Sequence, residues 1–508
     1  MKLQRYLCLA AITFAMIAMS VQLAAQNKQD HPKHHHYKLI DLGTFGGPSS
    51  GITLEVGPLN NHGMVTSCAD TSLFDLNYPN TNPDFGGDPY IQDGFLWQAG
   101  NLFNLGTLPG GTSSCGQWIS DTGLIAGAST NGLLDPLLGF PEVHATLWIN
   151  QKPLDLGTLG GNESQAYSVN NFGLVVGGAL NEISDPYASW IGLATGGATQ
   201  AHAFLWANGM MHDLHTLGTG TDSIAFTVND RGQIDGESFI NTTVEPSNAQ
   251  WCNCPGLPTM HPFLWENGEM KDLGTIGGTY VDPSWCCALN DFGEVVGGMT
   301  TEGDAELHPF LWDGHSIRDL KTLGGTYAEA VGLNDSGEVV GFSNLLGDQT
   351  EDAFLWKNGT LTDLKALPGD AGSYATGINA TGQIVGQSIA SQGYNHEFLW
   401  ENNGPMVNLQ DLLVPGSEVI ATEAAFINDA GEIAGNGFLP NGDRHATLAI
   451  PCDESHPNIE GCDYGMVEVA APAQSAAPRY VPGVAPLIPQ LRRINRYRLL
   501  DLTASRPE

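Results

Sequence analysis

One triplet recurs along this chain at a spacing that no single helix or hairpin produces. Phe-Leu-Trp stands at Phe95–Trp97, Phe204–Trp206, Phe263–Trp265, Phe310–Trp312, Phe354–Trp356 and Phe398–Trp400. Thr146-Leu147-Trp148 and Thr447-Leu448-Ala449 fill the same slot. The third positions, 97, 148, 206, 265, 312, 356, 400 and 449, mark eight units, each about 50 residues long. A repeat of this length is one supersecondary unit that cannot bury its apolar face alone, so the units must stack into a solenoid or close into a ring.

Each unit carries four short pieces. In the sixth, Ala328–Leu333 precedes the turn Asn334-Asp335-Ser336-Gly337, and Glu338–Ser343 follows it. After a variable loop come Ala353–Trp356, an Asn358-Gly359 turn and Thr360–Leu364. Alternating apolar positions and Gly-containing turns predict four antiparallel strands, called a to d. The a–b turn recurs as Asn170–Gly173, Asn229–Gly232, Asn290–Gly293, Asn379–Gly382 and Asn428–Gly431. An Asx residue that closes on glycine suits a turn ending at positive φ. Calcium is the alternative for these acidic turns, but they lack the dense Asp spacing that surrounds an ion with six or more oxygens. The strand count settles how the ends meet. A d-type strand, Tyr37–Gly43, precedes every other strand, and the eighth a, b and c strands end at Ile450 with no d strand after them. The orphan can cover that open edge. The predicted fold is all-β: an eight-bladed β-propeller of four-stranded antiparallel blades, closed by the N-terminal strand joining the last blade.

Units built on His-Ala-Phe-Leu-Trp and Asp-Leu-Gly-Thr-Leu-Gly-Gly resemble the bacterial extracellular HAF-repeat family. His202-Ala203-Phe204 matches the first motif, and Asp155–Gly161 and Asp272–Gly278 match the second, over a span of roughly residues 37 to 450. The resemblance implies an exported bacterial repeat protein. It carries over no catalytic residues.

The ends and the cysteines fit export. Residues 1–25 read as a signal peptide, with Lys2 and Arg5, an apolar run from Leu7 to Met19, and Leu23-Ala24-Ala25 before Gln26. The run is too short to span a bilayer. Residues 26–36 read as a flexible His-rich N-terminus, in which His31, His34, His35 and His36 could hold a metal loosely. Apart from Cys8, eight cysteines remain as disulfide candidates: Cys68, Cys115, Cys252, Cys254, Cys286, Cys287, Cys452 and Cys462. Cys452 and Cys462 bracket a short loop within an extension over 451–469, while zinc held by the 252/254 and 286/287 groups is the alternative for those four. Residues 470–508 form an Ala/Pro-rich linker and a basic tail holding six arginines. That tail could dock on an acidic propeller or an anionic surface, or stay solvated. A formal net charge of −36 disfavours nucleic acid as a partner, and no second apolar segment is long enough to cross a membrane. A secreted monomer without a required cofactor is expected.

For function, the b–c connections of units one to four stand out as long, over about residues 68–93, 129–143, 179–201 and 238–260. Long variable loops on a rigid scaffold are where binding usually lives. Asp75, Tyr78, Asp88, Tyr90, Tyr187, Trp190 and Trp251 offer carboxylates and rings suited to a glycan or a protein ligand. The bland reading packs these rings onto the blades. Two repeat positions are read as structural. His144, His202, His261, His308, His396 and His445 open strand c, where Asp93 and Asp352 stand in the other two units, and a hydrogen bond to a neighbouring loop explains both residue types. Trp97, Trp148, Trp206, Trp265, Trp312, Trp356 and Trp400 fill the wedge between sheets. The function expected is non-catalytic recognition or scaffolding on the b–c face of the first four blades. The alternative is a carbohydrate-active hydrolase or lyase using loop carboxylates on that face.

Overall fold

The computed structural model describes residues 33–53, 56–79, 81, 85, 88–136, 139–185, 199–252, 254, 256–283 and 288–468. Within them the chain closes a ring of eight four-stranded antiparallel blades. Blade 1 is Gly46–Gly51, Val65–Phe74, Tyr90–Gln98 and Asn101–Asn104; blade 6 is Gly324–Leu333, Val339–Leu345, Glu351–Lys357 and Thr360–Asp363. Blades 5 and 6 are also joined by one parallel pair, Leu307 with Tyr327. Blade 8 takes strands a to c from Ile420–Ile427, Ile433–Phe438 and Arg444–Pro451, and its outer strand from Tyr37–Asp41. Tyr37 pairs with Pro451 and Asp41 with Thr447, so the first strand of the ring closes the last blade.

The repeat motif supplies the core. The six phenylalanines of Phe-Leu-Trp are fully buried at the centre of strand c. In five of those blades each lies opposite a strand-b glycine, as Phe263 does Gly236. A Cβ on Gly236 would meet the Ile224 carbonyl oxygen at 2.1 Å and the Phe263 ring at 2.5 Å, so packing demands glycine there. The tryptophans lie nearer the rim, where Lys271 and Arg318 of the preceding blades sit 4.4 and 5.6 Å from the Trp312 and Trp356 ring centres. Adjacent blades are tied by repeated serines. Ser114, Ser164, Ser223 and Ser373 on strand a each accept the N–H of Gly94, Ala145, Ala203 and Ala353 on strand c of the blade before. Ser50 accepts the Ala446 N–H and repeats the tie across the closure.

The cysteines pair as Cys68–Cys115, between blades 1 and 2, as Cys252–Cys254, and as Cys452–Cys462. Cys286 and Cys287 lie outside the described residues, as do residues 1–25, expected as a signal peptide, and the basic tail. The flexible reading of the N-terminus does not extend to residue 36. Lys33–His35 pairs with Met466–Glu468, and fully buried His34 donates from Nδ1 to Glu401 at 2.8 Å. No helix among the described residues is long and apolar enough to cross a membrane.

Candidate functional site

The strand-c histidines bond within their own blades. Nδ1 of His144, His202, His261 and His308 donates to Asp155, Asp213, Asp272 and Asp319, eleven residues on in strand d, at 2.7–3.0 Å. The bond expected to a neighbouring loop is therefore a c–d clamp. The same aspartates accept a backbone N–H two residues later, which turns the chain toward the next blade. Burial works to raise these carboxyl pKa values, but the hydrogen bonds and the imidazole charge outweigh it and hold them below the usual range. His445 makes the clamp to Asp41 at 2.8 Å, across the closure of the ring. Three blades depart from the rule. His396 donates to Asp370 on the preceding d–a connection, and Asp93 accepts from Asn104 at 2.6 Å. In blade 6, Asp352 faces Asp363, and burial followed by the charge of Asp363 pushes its carboxyl well up. His202, Asp213 and His215 form the one group of three among the described residues that could hold a metal ion, with ligand atoms within 4.8 Å of one another. The clamp and a hydrogen bond from His202 Nε2 to the Thr221 carbonyl already employ its buried member.

The a–b turns meet at the axis. Each asparagine accepts N–H donors of its own turn, as Asn170 does from Phe172 and Leu174, and donates from Nδ2 to the next blade. Asn170 reaches the Asn229 carbonyl, Asn229 that of Asn290, Asn290 that of Asn334, Asn334 that of Asn379, and Asn379 that of Asn428. Asn428 returns to Asn60, and Asn60 donates to Ser120, whose blade continues through the Thr122 N–H to Asn171. The residues that follow these asparagines line an axial cavity of about 310 Å³, where Asp121, Asp230, Asp335 and Asp429 accept backbone N–H groups from the preceding blade. These carboxylates close the ring. The turn is structural, as the sequence indicates, but its reach from blade to blade is invisible without the ring.

The long b–c connections are largely ribbon. Strands b and c of blades 1 to 4 run 9 to 12 residues, so much of each expected loop is paired backbone beyond the blade. In blade 4 the connection folds inward. Trp251, on the short helix Ala249–Cys252, stacks on Tyr327 of blade 6 and donates to the Asp304 carbonyl at 2.8 Å. Asp304 also takes hydrogen bonds from Ser247, Thr279 and Thr300, pinning that connection onto blade 5. Trp251 is thus buried packing. Asp75 and Asp88 are buried too, and each accepts the backbone N–H two residues on. Tyr187 and Trp190 lie outside the described residues. Tyr78 and Tyr90 remain near the surface, both edge-on to exposed Phe74 at 5.9 and 5.8 Å.

Residue chemistry alone did not single out the other groups on this rim. Leu73, Leu133 and Ile183 are 61, 61 and 58% exposed. Each follows by two residues a side chain, Thr71, Asn131 or Asn181, whose oxygen accepts its backbone N–H. At that point the b–c register slips in all three blades. The bulge re-aims the strand and lifts an apolar side chain off the blade. Phe74, Leu76 and Leu134 extend this exposed apolar set. Blade 4 has the same turn at Asn241, but presents Thr243.

Carboxyls with strongly raised pKa values are enclosed. Asp70 is pushed to about 7 by burial and then by the charge of Asp88. Glu397 is pushed to about 8 by burial and then by Glu423, which itself pairs with Arg444 at 2.6 Å.

No family model matches the chain, and no curated protein matches it. Solved structures resemble it in fold. The β-propeller domain of the Trilobed protease from Pyrococcus furiosus is 10% identical over 74% of this chain and 95% of that one, with a TM-score of 0.37. Porphyromonas gingivalis dipeptidyl peptidase 4 is 12% identical over 69% and 54%, with a TM-score of 0.40. The BP39L lectin from Burkholderia pseudomallei is 9% identical over 78% and 97%, with a TM-score of 0.29.

Proposed function

We propose that this chain is a secreted, non-catalytic recognition or scaffold propeller of the HAF-repeat kind, and that it holds a protein ligand on the hairpins projecting from blades 1 to 3. One observation carries the reading: three neighbouring blades use the same side-chain-capped bulge to present Leu73, Leu133 and Ile183 to solvent. Apolar side chains left in water forgo the free energy of burial, and exposed apolar groups set on neighbouring blades mark interaction surfaces. Aliphatic tips favour a protein over a glycan, while Phe74, Tyr78 and Tyr90 supply the aromatic anchor common to protein interfaces. The experiment is a protein- and glycan-array screen of the secreted protein beside the Leu73→Ser, Leu133→Ser, Ile183→Ser triple variant. Binding that the triple variant loses, with its thermal unfolding unchanged, supports the reading. Binding that survives in the variant sinks it.

A further inference from the structure

The strand that closes the ring has a second copy in the sequence. Tyr37-Lys38-Leu39-Ile40-Asp41-Leu42 reappears as Tyr497-Arg498-Leu499-Leu500-Asp501-Leu502, with Tyr, Leu, Asp and Leu at the same steps and the other two replaced conservatively. The other d strands share the Asp/Asn-Leu end of this pattern, and Leu102 and Leu361 its first leucine as well, but four residues before that end they hold Gly, Gln or His of a c–d turn and never tyrosine. Tyrosine at that step belongs to a strand that enters the slot free of a hairpin. Both segments have it.

The slot asks for these residues. Tyr37, Leu39 and Leu42 are 2, 5 and 3% exposed, while Lys38 and Ile40 are partly solvated. Leu39 pairs with Ala449, the Leu42 N–H reaches the Ala446 carbonyl at 3.0 Å, and Asp41 receives the His445 imidazole. A strand of residues 497–502 entered in the same register would set Tyr497 and Leu499 at the buried steps, Arg498 at the lysine step, and Asp501 at the place facing His445. The described chain ends beside the slot, since Met466 pairs with His35 two residues before Tyr37. From Glu468 to Tyr497 is enough chain to span about 95 Å when extended.

We propose that residues 497–502 are a second closing strand, able to take the place of Tyr37–Asp41 against Arg444–Pro451 whenever the N-terminal strand is not there. This goes beyond ligand recognition and does not depend on it. Before the ring forms, Tyr497 lies 46 residues from Pro451 and Tyr37 lies 414 away. By the three-halves power of loop length, the tail reaches the open edge at about 27-fold higher effective concentration. It covers that edge during folding, when unpaired strand is most exposed to wrong partners. Once blade 1 has docked, the N-terminal strand is tethered to it by a few residues and displaces the copy, giving the arrangement seen.

The test is a pair of substitutions in the full chain, read as the rate of proteolysis of blade 8 under native conditions. Leu499→Asp alone is expected to leave the rate within about twofold of the parent. Leu39→Asp expels the N-terminal strand, and in that background Leu499→Asp is expected to raise the rate at least about tenfold, as removing one buried leucine does. Leu491→Asp, outside the matched segment, should do nothing in either background. A chain lacking residues 26–43 repeats the comparison with no charged strand left in the way. The proposal falls if Leu499→Asp is as silent there as in the parent, or if both the Leu39→Asp chain and the shortened chain fail to fold with the tail intact.

Discussion

Replacing Asp352 by asparagine is expected to stabilise the ring, and only above about pH 4, where carboxyls of the unfolded chain ionise. In five blades the strand-c residue at this step is a histidine that donates to the strand-d aspartate. Blade 6 opposes two carboxyls instead. Asp363 accepts hydrogen bonds from the backbone N–H and side chain of Lys365, while burial and the charge of Asp363 raise the carboxyl of Asp352, 7% exposed, so that Asp352 keeps its proton. Its folded pKa is raised above the unfolded value. The stability this contributes is therefore complete below the unfolded pKa and is lost as pH rises through the folded one. Asparagine donates the same hydrogen bond without a proton to lose. At pH 4 the two side chains are equivalent, and the difference should be close to zero. At pH 8 the variant keeps a hydrogen bond to a charged group, worth about 1.5–3 kcal/mol, that the parent must either protonate for or forgo. The assay is the urea midpoint of parent and variant from pH 4 to 8. Asp352→His, which restores the clamp of the other blades, should also gain at pH 7. Asp93→Asn is the comparison: burial raises this carboxyl too, but its partner Asn104 carries no charge, so its gain with pH should be smaller than that of Asp352→Asn. A difference that is flat with pH, or an asparagine that destabilises at pH 8, would refute the assignment of the proton to Asp352.

Asp155, Asp213, Asp272 and Asp319 are held low, Asp319 to about 2, so they contribute stability above the unfolded carboxyl pKa. That contribution should drain away as pH falls from about 4 toward 2, visible as a falling urea midpoint. Asn334→Ala removes a donor to the Asn379 carbonyl and the acceptor for the Ser336 and Glu338 N–H groups, and should cost about 2–4 kcal/mol by chemical denaturation. The equivalent Ser120→Ala change should cost less, since serine makes no forward amide bond there. Reducing Cys68–Cys115, or replacing both cysteines by serine, should cost about 2–4 kcal/mol and show first as faster amide exchange in blades 1 and 2.

The architecture could be read from spacing, because a ring of blades needs the same four strands eight times and one displaced strand to close it. The clamp partner is equally legible in the spacing, in place of the neighbouring loop expected. His144, His202, His261 and His308 each have an aspartate eleven residues on, while His445 has its aspartate only across the closure, at Asp41. His396 has Val407 at that step and so turns to Asp370. The axial ring is different in kind. An asparagine in a turn is explained by its own two N–H contacts, and nothing in the sequence says that its amide also faces the next blade. Trp251 shows the limit for candidate sites. Its partners Tyr327 and Asp304 lie in later blades, so a buried plug and an exposed binding ring look alike along the chain. The exposed leucines escaped because an apolar residue on a strand is ordinarily assigned to the core, and a bulge reverses the face it occupies.

Repetition also narrows where specificity can reside. What recurs around the ring, the buried phenylalanines of six blades, the serine ties at five junctions and the axial asparagines of seven blades, serves closure and presents the same chemistry wherever it stands. A ligand that binds in one orientation must read positions where the blades differ. The clamp differs at blades 1, 6 and 7, but in blades 1 and 6 the exchange sits between paired strands, and in blade 7 His396 turns to Asp370, its side chain 7% exposed, on the preceding d–a connection. The axial ring differs at Ser120, where Thr122 makes the connection instead. Among the described residues the b–c hairpins differ outward, with apolar tips on blades 1 to 3, a polar tip on blade 4 above a connection pinned to blade 5, and a shorter connection on blade 6 that exposes Leu346. The run of apolar tips on neighbouring blades therefore ends before the Asp304 anchor. Exchanging Thr243 for leucine should extend the rim by one blade and tighten ligand binding without changing stability, which array binding of the Thr243→Leu protein measures directly.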